Sequence, residues 1–411
     1  MIAMFARRSA APIGLDIGRT AIRAVQLDRR HGSLHAALEL PLPDHDAQPS
    51  AKAADHLAAS LRHLLQRGEF IGRDVVLHCP PDRLDLRPVE LPAARDLPRD
   101  AVLGALRLQL GGQLPFDIND AVFDYFPAGP AGPQRTRVMA VTADGAWLRK
   151  RLRVVQDAGL HCAAIEAFPC ALARLLDTPE NEFHPNTVNH PAQPDSETTE
   201  NVLTALLDVG QSGSTLVVFA TAGPIFCRRF QLGGHELTQT IAQRLGIDLD
   251  LAERLKRRFG IDNRTRRLRL AAAPAAPPLD LDPHALPQLH LDQAEMEGEV
   301  LPEPSQDHEI AKTLFAALQL QLSDYTEGLV RSLNYVITHE TSCRLDRVLL
   351  CGRGAQLRNL DAWLTDQFDL PVLHWRDQIL DQILDDQPAS RSCPGSWTTA
   401  LALARAGRKS P

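Results

Sequence analysis

Aromatic residues are scarce in this sequence. Phe, Trp and Tyr make up 5% of its 411 residues, too little for a base-stacking surface. A basic excess is missing as well: the formal net charge is −7, whereas a general nucleic-acid binder carries a surplus of Lys and Arg. No window reaches the roughly 18 apolar residues that a spanning helix requires, so no direct membrane span is expected. The opening stretch MIAMFARRSAAP has two arginines without an apolar run behind them, which argues against a signal peptide. The 7 cysteines, at 79, 162, 170, 227, 343, 351 and 393, are scattered and form no C-x-x-C pair. That argues against zinc and points to reduced thiols in the cytoplasm. What remains suits a globular chain, with 44% hydrophobic and 23% charged residues. The length favours two or more domains.

Strand-like and helix-like runs alternate along the chain, which predicts an α/β fold. IGLDIGRTAIRAVQL and GSLHAALELPLP read as neighbouring strands. Leu57, Leu61, Leu64 and Leu65 then form one helical stripe. A helix stops at Gly111-Gly112, AVFDYFPAG and TRVMAVTAD read as paired strands, and a helix ends at Gly159. Residues 178–200 hold four prolines and no apolar periodicity, and are read as a linker or long loop. This divides the chain into a first domain, 12–177, and a second, 201–406. Residues 264–307 are again Pro-rich and are read as a disordered surface loop. Leu314, Leu318, Leu322, Tyr325, Leu329, Leu333 and Val336 then advance by three or four, the mark of a long helix with a buried face.

Two short motifs carry the chemistry. In IGLDIGRT, Asp16 sits among apolar residues, with Gly18 and Thr20 after it; in LLDVGQSGST, Asp208 is followed by Gly210, Ser212, Ser214 and Thr215. A charge on a core strand is costly unless it is paired or faces an ion. A turn between paired strands presents backbone N–H groups to anions, and hydroxyls beside it donate to phosphate oxygens. Two carboxylates across a cleft suit a hydrated magnesium, which retains its waters. Arg23, on the first strand after the turn, would balance phosphate charge. One D-x-G alone is no more than a common hairpin turn; two at equivalent points, with LLCGRGAQL downstream, are a pattern.

These three elements, in this order, resemble the actin-like ATPase superfamily. Within it the chain is similar to the PilM family of type IV pilus assembly, a relative of FtsA. LGALRLQLGGQLPFDINDAVFDYFPAG, the TRVMAVTAD-to-ALARLL segment, CRRFQLGGHELTQTIAQRLGIDLDLAERLK and QLSDYTEGLVRSLNYVI carry the resemblance beyond the nucleotide motifs. It implies an actin-like ATPase fold, with two duplicated domains around a nucleotide cleft and an inserted subdomain of the FtsA/PilM type at about 85–165. By the same resemblance, Asp16 and Asp208 would hold magnesium through water. Gly18, Arg19, Thr20 and Arg23 would form the first phosphate loop, and Gly210, Ser214 and Thr215, with Asp208, the second. Glu253 and Lys256 would lie near ribose and base, and Gly352 and Gly354 would support the adenosine. Arg19 and Arg353 depart from the family pattern, and a guanidinium at position 19 would either clamp phosphate or fill its place.

The function implied is a cytoplasmic ATP-binding protein at the inner-membrane platform. It would dock the N-terminal cytoplasmic peptide of a PilN-like membrane protein, alongside other pilus components. The alternatives are a small-molecule kinase of the same superfamily, or a cytoplasmic component of type II secretion or cell division. A kinase needs a catalytic base, and no motif supplies one. No catalytic residue is assigned; Gln211, beside the second loop, is the candidate for orienting water in a weak ATPase activity. RTRRLRL reads as a solvated basic edge. The closing TTALALARAGRK is too short and weakly amphipathic for a membrane anchor.

Overall fold

Apolar residues crowd Ile13–Leu27 on both sides of Gly18–Thr20, and the stretch folds as two antiparallel strands with a tight turn between them. The computed structural model describes residues 11–42, 51–92, 97–130, 135–176, 201–221, 223–261, 304–339, 343–386 and 394–407. The linker expected at 178–200 lies outside them, as does the loop expected at 264–307 except for its last four residues, which open a long helix.

The strands are β1 (Ile13–Ile17), β2 (Ala21–Leu27), β3 (Leu34–Pro41), β4 (Asp74–Cys79), β5 (Leu84–Pro92), β6 (Val122–Pro130) and β7 (Arg135–Ala143). They continue with β8 (His161–Ala167), β9 (Asn201–Val209), β10 (Ser214–Ala220), β11 (Gly223–Phe230), β12 (Cys343–Cys351) and β13 (Val372–His374). The helices are α1 (Ala51–Arg67), α2 (Arg99–Leu110), α3 (Gly145–Asp157), α4 (Phe168–Ala173) and α5 (Gly234–Leu245). After them come α6 (Leu249–Phe259), α7 (Pro304–His339), α8 (Leu360–Phe368), α9 (Gln378–Asp386) and α10 (Thr398–Ala404).

Two five-stranded sheets are built to one plan. The first runs β3-β2-β1-β4-β8 and the second β11-β10-β9-β12-β13. In each, three antiparallel strands are followed by two parallel ones. The cross-strand pairs Asp16↔Arg23 and Asp208↔Thr215 stand at matching points, so the duplication holds to the residue.

Helix α7 places its whole predicted stripe, Leu314 to Val336, in the core of the second half, together with Leu237, Ile241, Phe259 and Trp363. A separate sheet, β5-β7-β6, packs on α2 through Val89, Val102, Leu106, Phe123 and Val138. This sheet spans Leu84–Ala143. Strand β8 joins the first large sheet beside β4, and α3 packs there through Val154 and Val155. The compact subdomain is therefore shorter than the 85–165 expected.

The chain's last helix departs from the expected division at 201–406, because α10 packs on β1, β2 and β4 of the first half. Its backbone lies so close to β1 that a Cβ on Gly14 would stand 2.2 Å from the Ala400 carbonyl oxygen. A buried pair, Arg405 Nη2 to Asp377 Oδ2 at 2.6 Å, ties the end of this helix to the segment after β13. A shared core joins the halves, with Val25, Leu27, Leu172 and Trp397 packed among Leu206, Val217 and Leu349.

Candidate functional site

The two D-x-G turns close in the same way. Gly18 N donates to Ala21 O at 3.0 Å, and Gly210 N donates to Gly213 O at 2.9 Å. Both turns open onto one cleft between the halves, lined among others by Asp16, Gly18, Arg19, Thr20 and Arg23 on one side. Asp208, Gly210, Gln211, Ser212, Gly213, Thr215, Gly352 and Arg353 line the other. Most of the predicted residues thus meet in one place although they come from distant parts of the chain.

Asp16 is held by a guanidinium and an imidazole. Arg23 Nη1 lies 3.7 Å from its Oδ2 and His78 Nε2 lies 3.3 Å from its Oδ1. Arg151 of α3, whose pKa burial lowers, is pulled back up by the charge of Asp16. Arg23 also gives Nε to Glu39 at 2.7 Å, while its buried Nη2 has no partner among the described residues. Across the cleft, Cys351 Sγ donates to Asp208 Oδ1 at 3.7 Å. Burial, and then the charge of Asp16, push the Asp208 carboxyl up to about 6, while Cys351, His78 and Arg23 oppose the shift. Burial raises the Cys351 thiol well above its ordinary range, and Asp208 adds to the effect.

Four expected residues stand elsewhere. Ser214 faces the core, its Oγ donating to Leu232 O at 2.8 Å and lying 2.8 Å from Tyr325 Oη. Neighbours on a strand point to opposite faces, so it is Thr215 that reaches the cleft. Glu253 and Lys256 sit on α6 behind the second loop, outside the cleft lining. Lys256 Nζ donates to Gly234 O and Thr238 Oγ1, both at 2.7 Å, and to Glu253 Oε2 at 2.5 Å. Gly354 lies beneath the lining, where a Cβ would stand 2.7 Å from Val209 Cγ1.

Sequence reasoning missed His78, Cys351 and Arg229. His78 stands next to the end of β4 and Cys351 ends β12, equivalent strands of the two sheets, and each touches the aspartate of its own half. Their signal was the parallel between VVLHCPP and VLLCGRG, legible only once the halves are aligned. Arg229, on β11, donates Nη2 to Ser212 O at 3.0 Å and lines the cleft at the second loop.

Two like halves meeting at a cleft between paired aspartate turns define the actin-like ATPase fold. A profile of the type IV pilus assembly protein PilM matches residues 14–268, more than half of the chain, and the chain belongs to that family. Among solved structures, the PilM-PilN type IV pilus biogenesis complex is similar at a TM-score of 0.69 and 21% identity, covering 97% of this chain and 99% of that one. The ethanolamine utilization protein EutJ from Carboxydothermus hydrogenoformans is more distant (TM-score 0.47, 12% identity, 96% of this chain and 89% of that one). So is MreB5 of Spiroplasma citri bound to ADP (TM-score 0.43, 12% identity, 94% and 100%). Among the described residues, no helix is long and apolar enough to cross a membrane.

Proposed function

We propose that this protein binds ATP in the cleft and docks the N-terminal cytoplasmic peptide of a PilN-like inner-membrane protein, which holds it at the cytoplasmic face of the pilus platform with other pilus components. The observation that carries the docking is a second cavity, of about 590 Å³, where the subdomain meets both halves. Phe126 of β6, Cys170, Ala173 and Leu176 near α4, and Phe219 and Pro224 from the second sheet are among its lining residues. Strand β6 is an edge of its sheet, so an extended peptide could add main-chain hydrogen bonds there while apolar side chains enter the cavity. Of residues 114–126, only Phe126 lines this cavity. Leu114, Phe116, Ile118, Phe123 and Tyr125 pack against the subdomain's own core.

ATP binding is supported by the matched turns and by the partnerless Nη2 of Arg23, a donor that a phosphate oxygen would satisfy. A hydrated magnesium held through water by Asp16 and Asp208, as the family resemblance implies, is not required by this reading, since four arginines line the same cleft. The reading is one of binding, not of turnover on a small acceptor. Calorimetry of the full chain with a synthetic peptide copying the PilN-like tail tests the docking. A micromolar affinity is expected, since about ten residues must be immobilised. An intact protein that binds no such peptide would set the docking aside.

A further inference from the structure

We infer that the cleft binds a nucleotide polyphosphate without needing a divalent cation, because its own arginines supply the charge that a metal would bring. This rests on the nucleotide reading above and concerns how that site is balanced. Arg19, Arg23, Arg229 and Arg353 all line the cleft, against the carboxylates of Asp16, Asp82 and Asp208. Asp82 already has Arg83 at 3.5 Å.

The state of each group points the same way. Arg23 is 6% exposed and fixed from two sides by Glu39 and Asp16, with Nη2 left over. A buried donor without an acceptor is costly, and a phosphate oxygen would relieve it. Arg19 is exposed at the mouth, and among the described residues no hydrogen bond or ion pair holds its guanidinium. Arg229 spends one nitrogen on the Ser212 carbonyl and retains the rest of its fork.

On the acidic side, Asp16 is already paired with Arg23 and in contact with His78, with Arg151 adding positive charge. Asp208 has the Cys351 thiol on Oδ1. Among the described residues, no three metal-ligating side chains gather anywhere. A carboxylate paired as Asp16 is pulls weakly on a hydrated ion, while guanidiniums pair with phosphate in a planar, two-pronged fit. Charge neutralisation at the phosphates therefore falls to side chains.

The test is calorimetric titration of ATP into the full chain in excess magnesium and again in excess EDTA. The affinities should agree within about threefold. Arg19→Met, at an exposed position where folding is not at stake, should weaken binding in EDTA by about tenfold and less in magnesium, so that metal dependence appears. Binding in magnesium that falls tenfold or more in EDTA would overturn the inference and leave the nucleotide reading intact. Equal affinities for Arg19→Met and the parent in EDTA would also overturn the role given to Arg19. No binding in either buffer would overturn the nucleotide reading and this inference with it.

Discussion

A Cβ built on Gly352 would stand 2.4 Å from Asp208 Oδ1 and 2.5 Å from the Val209 carbonyl oxygen. The strand end after β12 thus lies directly on the aspartate turn of the second half, with Gly352 at a φ of +84°. Gly352→Ala meets both obstacles, the left-handed backbone and the carboxylate. It should destabilise the fold by about 1–3 kcal/mol and displace Asp208. Thermal unfolding together with nucleotide titration checks this: a normal melting midpoint with normal affinity would show that the contact can relax.

The carboxyl of Asp208 gives a pH signature. Its folded pKa is about 6 against an ordinary 3.8, so the folded state holds its proton more tightly than the unfolded state does. The stabilisation is complete below about 4 and is lost as pH rises through 6. Asp208→Asn cannot ionise and should flatten this window, gaining on the order of 1 kcal/mol over the parent at neutral pH. Denaturant unfolding at a series of pH values in metal-free buffer measures it. Parallel stability curves for parent and variant would refute the shift.

Ser214 and Thr215 should separate stability from binding. Ser214→Ala removes the hydroxyl between Leu232 O and Tyr325 and should cost about 1–3 kcal/mol of stability, with nucleotide affinity unchanged. Thr215→Val retains shape but removes a hydroxyl from the cleft, and should weaken ATP binding several-fold with little effect on melting. The reverse pattern would mean that Ser214, not Thr215, faces the ligand.

Phe126→Asp places a charge in the cavity beside β6. Capture of the PilN-like peptide should drop by at least about tenfold, while circular dichroism and ATP affinity stay as in the parent. Peptide binding that survives this change would place the groove elsewhere.

The buried pair of Arg405 and Asp377 should act as a clasp for the last helix. Asp377→Ala strands a buried guanidinium and should cost about 3–5 kcal/mol; Asp377→Leu with Arg405→Met should recover much of that. A single variant as stable as the parent would mean that α10 is held by packing alone.

The duplicated plan was legible in the sequence because it rests on local patterns. Apolar runs broken by D-x-G located both turns, and the spacing of leucines from 314 to 336 located the core face of α7. The rest depended on tertiary pairing. Ser214 and Thr215 both lie on a strand buried on its two faces, so alternation alone could not say which one meets the cleft. His78 became visible only when β4 was paired with β1. That α10 returns to the first sheet is written in Gly14 and the small residues of TTALALA, but a close approach of backbones has no pattern of its own in a sequence. The facing of residues 114–126 was not legible for a similar reason: their apolar side chains answer equally to a partner or to the subdomain's own helix, and α2 claims most of them.

Hydrogen–deuterium exchange of the full chain with and without ATP tests the central claim most directly, since it reports backbone by backbone where the nucleotide sits. The account predicts slowed exchange at residues 16–20, at 210–215 and at 352–354, the two aspartate turns and the glycine turn after β12. Unchanged exchange in all three segments at saturating ATP would contradict it.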